Sequence, residues 1–105
     1  MGIKRDRVII TRKAQRSIKE IYEFIKDHEK SAEKAHHVRE AIINKCFELK
    51  TFSGYSKEPY LEDYPGDYRS VSIWNFVIIY TVTEKDVRVL NVIHSSQNPD
   101  SRINI

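Results

Sequence analysis

His94 and Arg69 are the two residues of this 105-residue sequence whose side chains could together move a proton and hold a phosphate. Imidazole titrates near neutrality, so a histidine can act as general acid or base, and a guanidinium offers forked donors that match phosphate oxygens. Cutting RNA through its own 2′-hydroxyl needs such a pair. A histidine closing a strand is more often structural, and twenty-five positions separate these two residues.

Other constellations carry less chemistry. On a helix His36 and Glu40 lie one turn apart, but the adjacent His36 and His37 point about 100° apart, so with Glu33 they do not converge as metal ligands. Glu58, Glu62 and Asp63 lack metal-binding or glycosidase spacing and are read as solvating a loop. Ser95-Ser96 forms no nucleophile elbow, and Cys46 falls on an apolar helix stripe where a thiolate is disfavoured. No metal, cofactor or covalent catalysis is expected.

The elements that must position His94 and Arg69 follow from periodicity. Arg7 to Ile10 is a short β-branched strand ending at Thr11, a ready N-cap. Ala14, Ile18, Ile21, Tyr22 and Ile25 form one stripe of a helix running to about His28. Ser31 caps a second helix whose stripe is Ala35, Val38, Ile42, Cys46 and Leu49, widened by Ile43 and Phe47 and ended by Phe52-Ser53-Gly54. The gap between the helices is so short that they must form an antiparallel hairpin. Ser53 to Asp67, with Tyr55, Tyr60 and Tyr64, reads as a crossing loop.

Three strands follow: Tyr68 to Trp74, Phe76 to Thr83 and Val87 to His94, with a tight turn near Asn75. In the middle strand Phe76, Ile78 and Tyr80 on one face and Val77 and Ile79 on the other are all apolar, as a central strand requires. On the last strand the two-residue period puts His94 on one face with Leu90 and Val92. The order predicts a two-layer α+β domain, β-α-α-β-β-β, with the helical hairpin on one face of a mainly antiparallel sheet. The other face would be open, and Trp74 with β-branched neighbours there would seat a partner segment. The expected partner contacts are Arg69, Val71, Ile73, Trp74 and Arg88. Trp74, beside a tight turn, is expected at an edge and partly buried. The tail from Ser95 reads as polar, held by Asn98-Pro99 and anchored by Ile103 and Ile105.

Length and an apolar fraction of 40% allow one domain, residues 1–105, and exclude disordered or collagen-like chains. The longest apolar run, Phe76 to Tyr80, is far short of the twenty or so residues that span a bilayer, and the basic N-terminus has no signal-peptide pattern. A cytoplasmic protein without membrane contact is expected. The formal charge of +3 is unevenly placed: residues 1–52 carry +5, residues 53–67 carry −3 and the remainder +1. A basic helical half attracts nucleic acid or an acidic protein segment, although a solvated lysine-rich face is the commoner reason for one.

Three segments, spread through nearly the whole chain, are similar to the RelE/ParE toxin superfamily, which includes plasmid-stabilisation toxins of type II toxin–antitoxin pairs. They are the run Ala14 to Ile25, the segment Tyr68-Arg69-Ser70 through Tyr80, and Val87 to His94. The resemblance implies the same fold, with the first strand beside the last, then the third and second. RNA-cutting members place basic side chains at positions that are Ser70, Ser72, Val77 and Gln97 here, and none of these can carry positive charge. Only His94 matches a catalytic histidine, while Arg69 matches an arginine of ParE-like chains. A doubly charged phosphorane without such stabilisers forms orders of magnitude more slowly.

The ParE-like branch therefore leads. It implies a toxin that inhibits a protein target such as DNA gyrase and is neutralised by a cognate antitoxin, usually acidic, within a toxin–antitoxin hetero-oligomer. One alternative is a RelE-like, ribosome-dependent mRNA endoribonuclease using His94 and Arg69, with ribosome and mRNA as partners. Another is a nontoxic or decayed interaction module of the same fold.

Overall fold

The computed structural model describes residues 7–55, 57–61 and 65–96. Glu62, Asp63, Tyr64, Gln97, the Asn98-Pro99 pair, Ile103 and Ile105 lie outside the described residues. Strand β1 (Arg7–Ile10) leads into helix α1 (Arg12–His28), and α2 (Ala32–Glu48) follows after a three-residue link. A 3₁₀ turn at Pro59–Leu61 precedes the meander β2 (Tyr68–Ile73), β3 (Phe76–Val82) and β4 (Asp86–His94). The sheet order is β1-β4-β3-β2, with β1 parallel to β4 and the other pairs antiparallel. The α+β architecture and the strand order are those expected.

Capping explains the helix starts. Thr11 Oγ1 accepts the Ala14 N–H at 3.2 Å, and Ser31 Oγ accepts the Lys34 N–H at 3.0 Å, each supplying an acceptor the first turn lacks. Between the helices Lys30 adopts φ 53°, the left-handed conformation that reverses the chain after a helix, normally a glycine's position. The hairpin buries Ala14, Ile18 and Ile25 of α1 against Ala35, Val38, Ile42 and Cys46 of α2. Beneath them lie Val71, Ile78, Tyr80, Val87, Val89 and Val92 of the sheet. Phe47, expected to widen the α2 stripe, instead points outwards.

The sheet's other face is not open. Val77, Ile79 and Ile93 form a second small core there, covered by Leu61 of the 3₁₀ turn with Tyr68 against it. An apolar face on a central strand has to be covered, and the crossing loop supplies the cover. Val71 and Ile73 consequently belong to the helical side, with Val71 only 9% exposed, so the expected open-face seat does not exist. No described helix is long and apolar enough to cross a membrane.

A β-bulge interrupts the last two strands. Ile79 pairs with Asn91 but Tyr80 pairs with Val89, leaving Leu90 as the extra residue. The simple alternation that grouped Leu90 with Val92 and His94 therefore breaks at Leu90. Above the bulge Val87 and Val89 face the helices, and below it Val92 does. The bulge thus brings His94, two residues after Val92, onto the helical side opposite Phe76.

Candidate functional site

At the end of β4 the His94 ring stands edge-on to Phe76, centroids 5.6 Å apart. Its Nδ1 receives the Ser96 backbone N–H at 3.2 Å, and Ser96 Oγ lies 2.7 Å away. A backbone N–H can only donate, so Nδ1 bears no proton and the hydroxyl donates to it as well. The contacts place Nδ1 as the accepting nitrogen, and the ring closes the turn that follows β4.

His94 lines a groove of about 1030 Å³ between the helical hairpin and the β2–β3 end of the sheet. Lys13, Ser17, Glu20 and Phe24, spaced four, three and four along α1, form one wall. His37 and Val38 of α2 form another, Phe76 and Val92 the floor, and Trp74 the lip. Phe24 is 59% exposed and Trp74 58% exposed, two large aromatics left in solvent on one groove. Trp74 was expected to be partly buried; instead its ring leans on His37, centroids 5.8 Å apart. The sequence reading missed Lys13, Phe24 and His37. The available signal was a row on α1 beside the core stripe that includes a phenylalanine.

The ionisable groups of this groove do not amount to a cationic ring. Lys34 is ion-paired with Glu29, and Glu20 lines the same wall as Lys13. Among the described residues lining the groove there is no arginine.

Arg69 is elsewhere. It pairs with Tyr80, whereas His94 is level with Phe76 and Ile73, four residues further along and two strands away. At about 3.3 Å per residue and about 4.8 Å per strand, the two Cα atoms are roughly 16 Å apart. The guanidinium donates from Nη1 to the Tyr55 carbonyl at 2.6 Å. Its Nε sits 3.0 Å from Asp67 Oδ1, a charge contact rather than an aligned hydrogen bond. Arg69 thus ties the crossing loop to β2. Nearby, Tyr80 is fully buried and donates to the Ser53 carbonyl at 2.9 Å. Burial raises its phenol to about 12, despite a hydrogen bond with the Tyr55 backbone and the nearby Arg69 charge, both of which favour the phenolate.

The remaining expected residues are dispersed. Arg88 is exposed and alternates with the inward Val87 and Val89, so it lies on the face away from the helices. His36 accepts from Arg39 at 2.9 Å, and among the described residues no three metal-ligating side chains converge. Glu58 is buried, with its backbone N–H bonded to the Tyr68 carbonyl. Cys46 is buried between helix and sheet, and desolvation raises its thiol to about 12, which makes it a packing group. Of the expected contacts, only Trp74 shares a groove with His94.

Residues 8–99 match the family model described as the ParE toxin of the type II toxin–antitoxin system parDE. The chain belongs to the ParE toxin family. A solved structure titled chromosomal ParDE TA system from P. aeruginosa superposes with a TM-score of 0.67. It is 22% identical to this chain, covering 83% of it and 92% of the other, a level that speaks to the shared fold. No curated protein sequence matches. The ParE family is one of toxins made with an antitoxin, so membership implies such a partner for this chain.

Proposed function

We propose that this ParE-family chain is a cytoplasmic toxin that acts by binding a protein target such as DNA gyrase and is silenced by its cognate antitoxin. The observation that carries the reading is the separation of His94 from Arg69. The imidazole is engaged by Ser96 at Nδ1, and the guanidinium is engaged by Tyr55 and Asp67 at the other end of the sheet. A phosphodiester at His94 would meet a groove whose lysines are matched by glutamates, without the concentrated positive charge its transition state requires. The same groove, apolar at the floor and charged at the rim, suits a protein segment.

The test is induction of the chain in cells, with gyrase supercoiling and mRNA integrity measured in the same culture. Loss of supercoiling with intact mRNA, relieved by co-expressing the antitoxin from the neighbouring reading frame, is the expected result. Mapped mRNA cuts abolished by His94→Ala would replace this reading with the ribonuclease. Unaffected growth would leave a nontoxic module.

A further inference from the structure

Helix α1 begins against its own electrostatics. The N-terminal end of a helix carries partial positive charge, so acidic residues belong in the first turn, where α2 has Glu33. The first turn of α1 has none. It opens with Arg12 and Lys13, and Arg16 and Lys19 follow before Glu20 supplies the helix's first carboxylate. At about 100° per residue, Arg12, Arg16 and Lys19 fall within a sector of about 60°, opposite the buried Ala14 and Ile25. All three are exposed, and none of them is ion-paired among the described residues. Arg39 of α2 extends this face: its guanidinium lies 4.5 Å from the Tyr22 ring centre, on a crevice that Lys19 also lines. Exposed cations placed where they oppose the helix dipole signal a use outside folding.

We propose that this outer face, Arg12, Arg16 and Lys19 with Arg39, holds the backbone phosphates of duplex DNA without reading its sequence. The face is separate from the groove, whose row of Lys13, Ser17, Glu20 and Phe24 lies about 100° round the helix, so it serves whether or not gyrase is the target. Three features select the occupant. Arg12 to Lys19 spans about 10 Å of helix axis, the axial rise of about three phosphates on one DNA strand. Single strands are held by stacking their bases on open aromatic rings, but Tyr22, the aromatic beside these cations, is already engaged by Arg39 and Lys26. An anionic membrane would need apolar side chains among the cations, whereas the neighbours on this side of α1 are Gln15 and Glu23.

The probe is a fluorescein-labelled duplex of about 20 base pairs and arbitrary sequence, titrated with the full chain at about 50 to 200 mM NaCl and read by anisotropy. About four phosphate contacts give a slope of log K against log salt of about −3.6, so binding should weaken by about 150-fold across that range. Arg16→Gln combined with Lys19→Gln should bring the slope to about −1.8 and weaken binding at the lowest salt by at least about tenfold. Glutamine suits an exposed helix position about as well as the residues it replaces, so this variant should fold normally. Lys57→Gln combined with Lys85→Gln removes the same charge from two exposed positions outside both helices and should leave the slope within about 0.5 of wild type. Arg12→Gln should weaken binding yet raise Tm by about 2–6 °C, because a cation leaves the positive end of the helix. No binding at the lowest salt, a slope shallower than about −2, a double helix variant within about twofold of wild type, or an equal loss in the loop variant overturns the proposal. So does tighter binding of an RNA single strand of the same length. A fall in Tm for Arg12→Gln would also overturn it, by showing that the side chain serves the fold.

Discussion

Replacing His94 separates a capping imidazole from a proton-transferring one. Alanine removes two hydrogen bonds into Nδ1 and the edge contact with Phe76. At a half-exposed site each bond is worth about 0.5–1 kcal/mol and the ring contact about 0.5 kcal/mol, for a total of about 2 kcal/mol. For a chain of this size that lowers Tm by about 8–16 °C. Asparagine is the informative companion, because its Oδ1 sits where Nδ1 was and accepts the Ser96 N–H, yet it transfers no proton near neutrality. His94→Asn should recover about half the lost stability. Both variants, induced below their melting temperatures, should still arrest growth and reduce supercoiling. Thermal unfolding, growth curves and plasmid topology give the three readouts. If both variants fold but lose toxicity together, the imidazole does chemistry and the argument from Nδ1 fails. If asparagine is as damaging as alanine to Tm, the cap is not what the ring contributes.

Alkaline pH provides an independent check on the core. Cys46 and Tyr80 ionise near 9 and 10 when unfolded and near 12 when folded, so the native state holds protons that the unfolded chain releases. Stability is therefore intact below pH 9 and falls as pH rises from 9 to 12, by up to about 1.4 kcal/mol per unit for each group. Cys46→Ala should cost about 1–2 kcal/mol at pH 7 but overtake the wild-type chain between pH 10 and 11, visible in urea titrations; parallel curves would refute the linkage. Lys30→Gly should raise stability by about 1 kcal/mol, since φ 53° suits glycine, and a loss in the same titration would refute it. Arg69→Leu should cost about 1–2 kcal/mol and speed proteolysis of the crossing loop while leaving residual toxicity per folded molecule unchanged.

The helices and strands were legible because their apolar periods are long and their caps, Thr11 and Ser31, stand where the stripes begin. Sheet order came from the resemblance, not from periodicity, which cannot say that β1 lies beside β4. The bulge was invisible because every residue from Val87 to Ile93 except Arg88 and Asn91 is apolar, so inserting Leu90 leaves no mark in the pattern. Leu61 was the overlooked sign that the second sheet face is closed. The separation of His94 from Arg69 was legible in the meander, because consecutive antiparallel strands put the end of β4 level with the end of β2 whereas Arg69 lies near the start of β2. The tight turn beside Trp74 placed it at an edge, and the structure leaves its ring more exposed than expected.

The parallel pairing of β1 with β4 joins residues that leave the ribosome far apart in time. Arg7 is level with Asp86, 79 positions later, and their side chains form an ion pair at 3.0 Å. At about 5–20 residues per second the first strand waits roughly 4–16 s for its mate. Until then the sheet has no place for β1 and the groove has no floor, because Val92 belongs to the final strand. The nascent polypeptide thus lacks the groove throughout its own synthesis, and whatever docks there can engage it only once the last strand is in place.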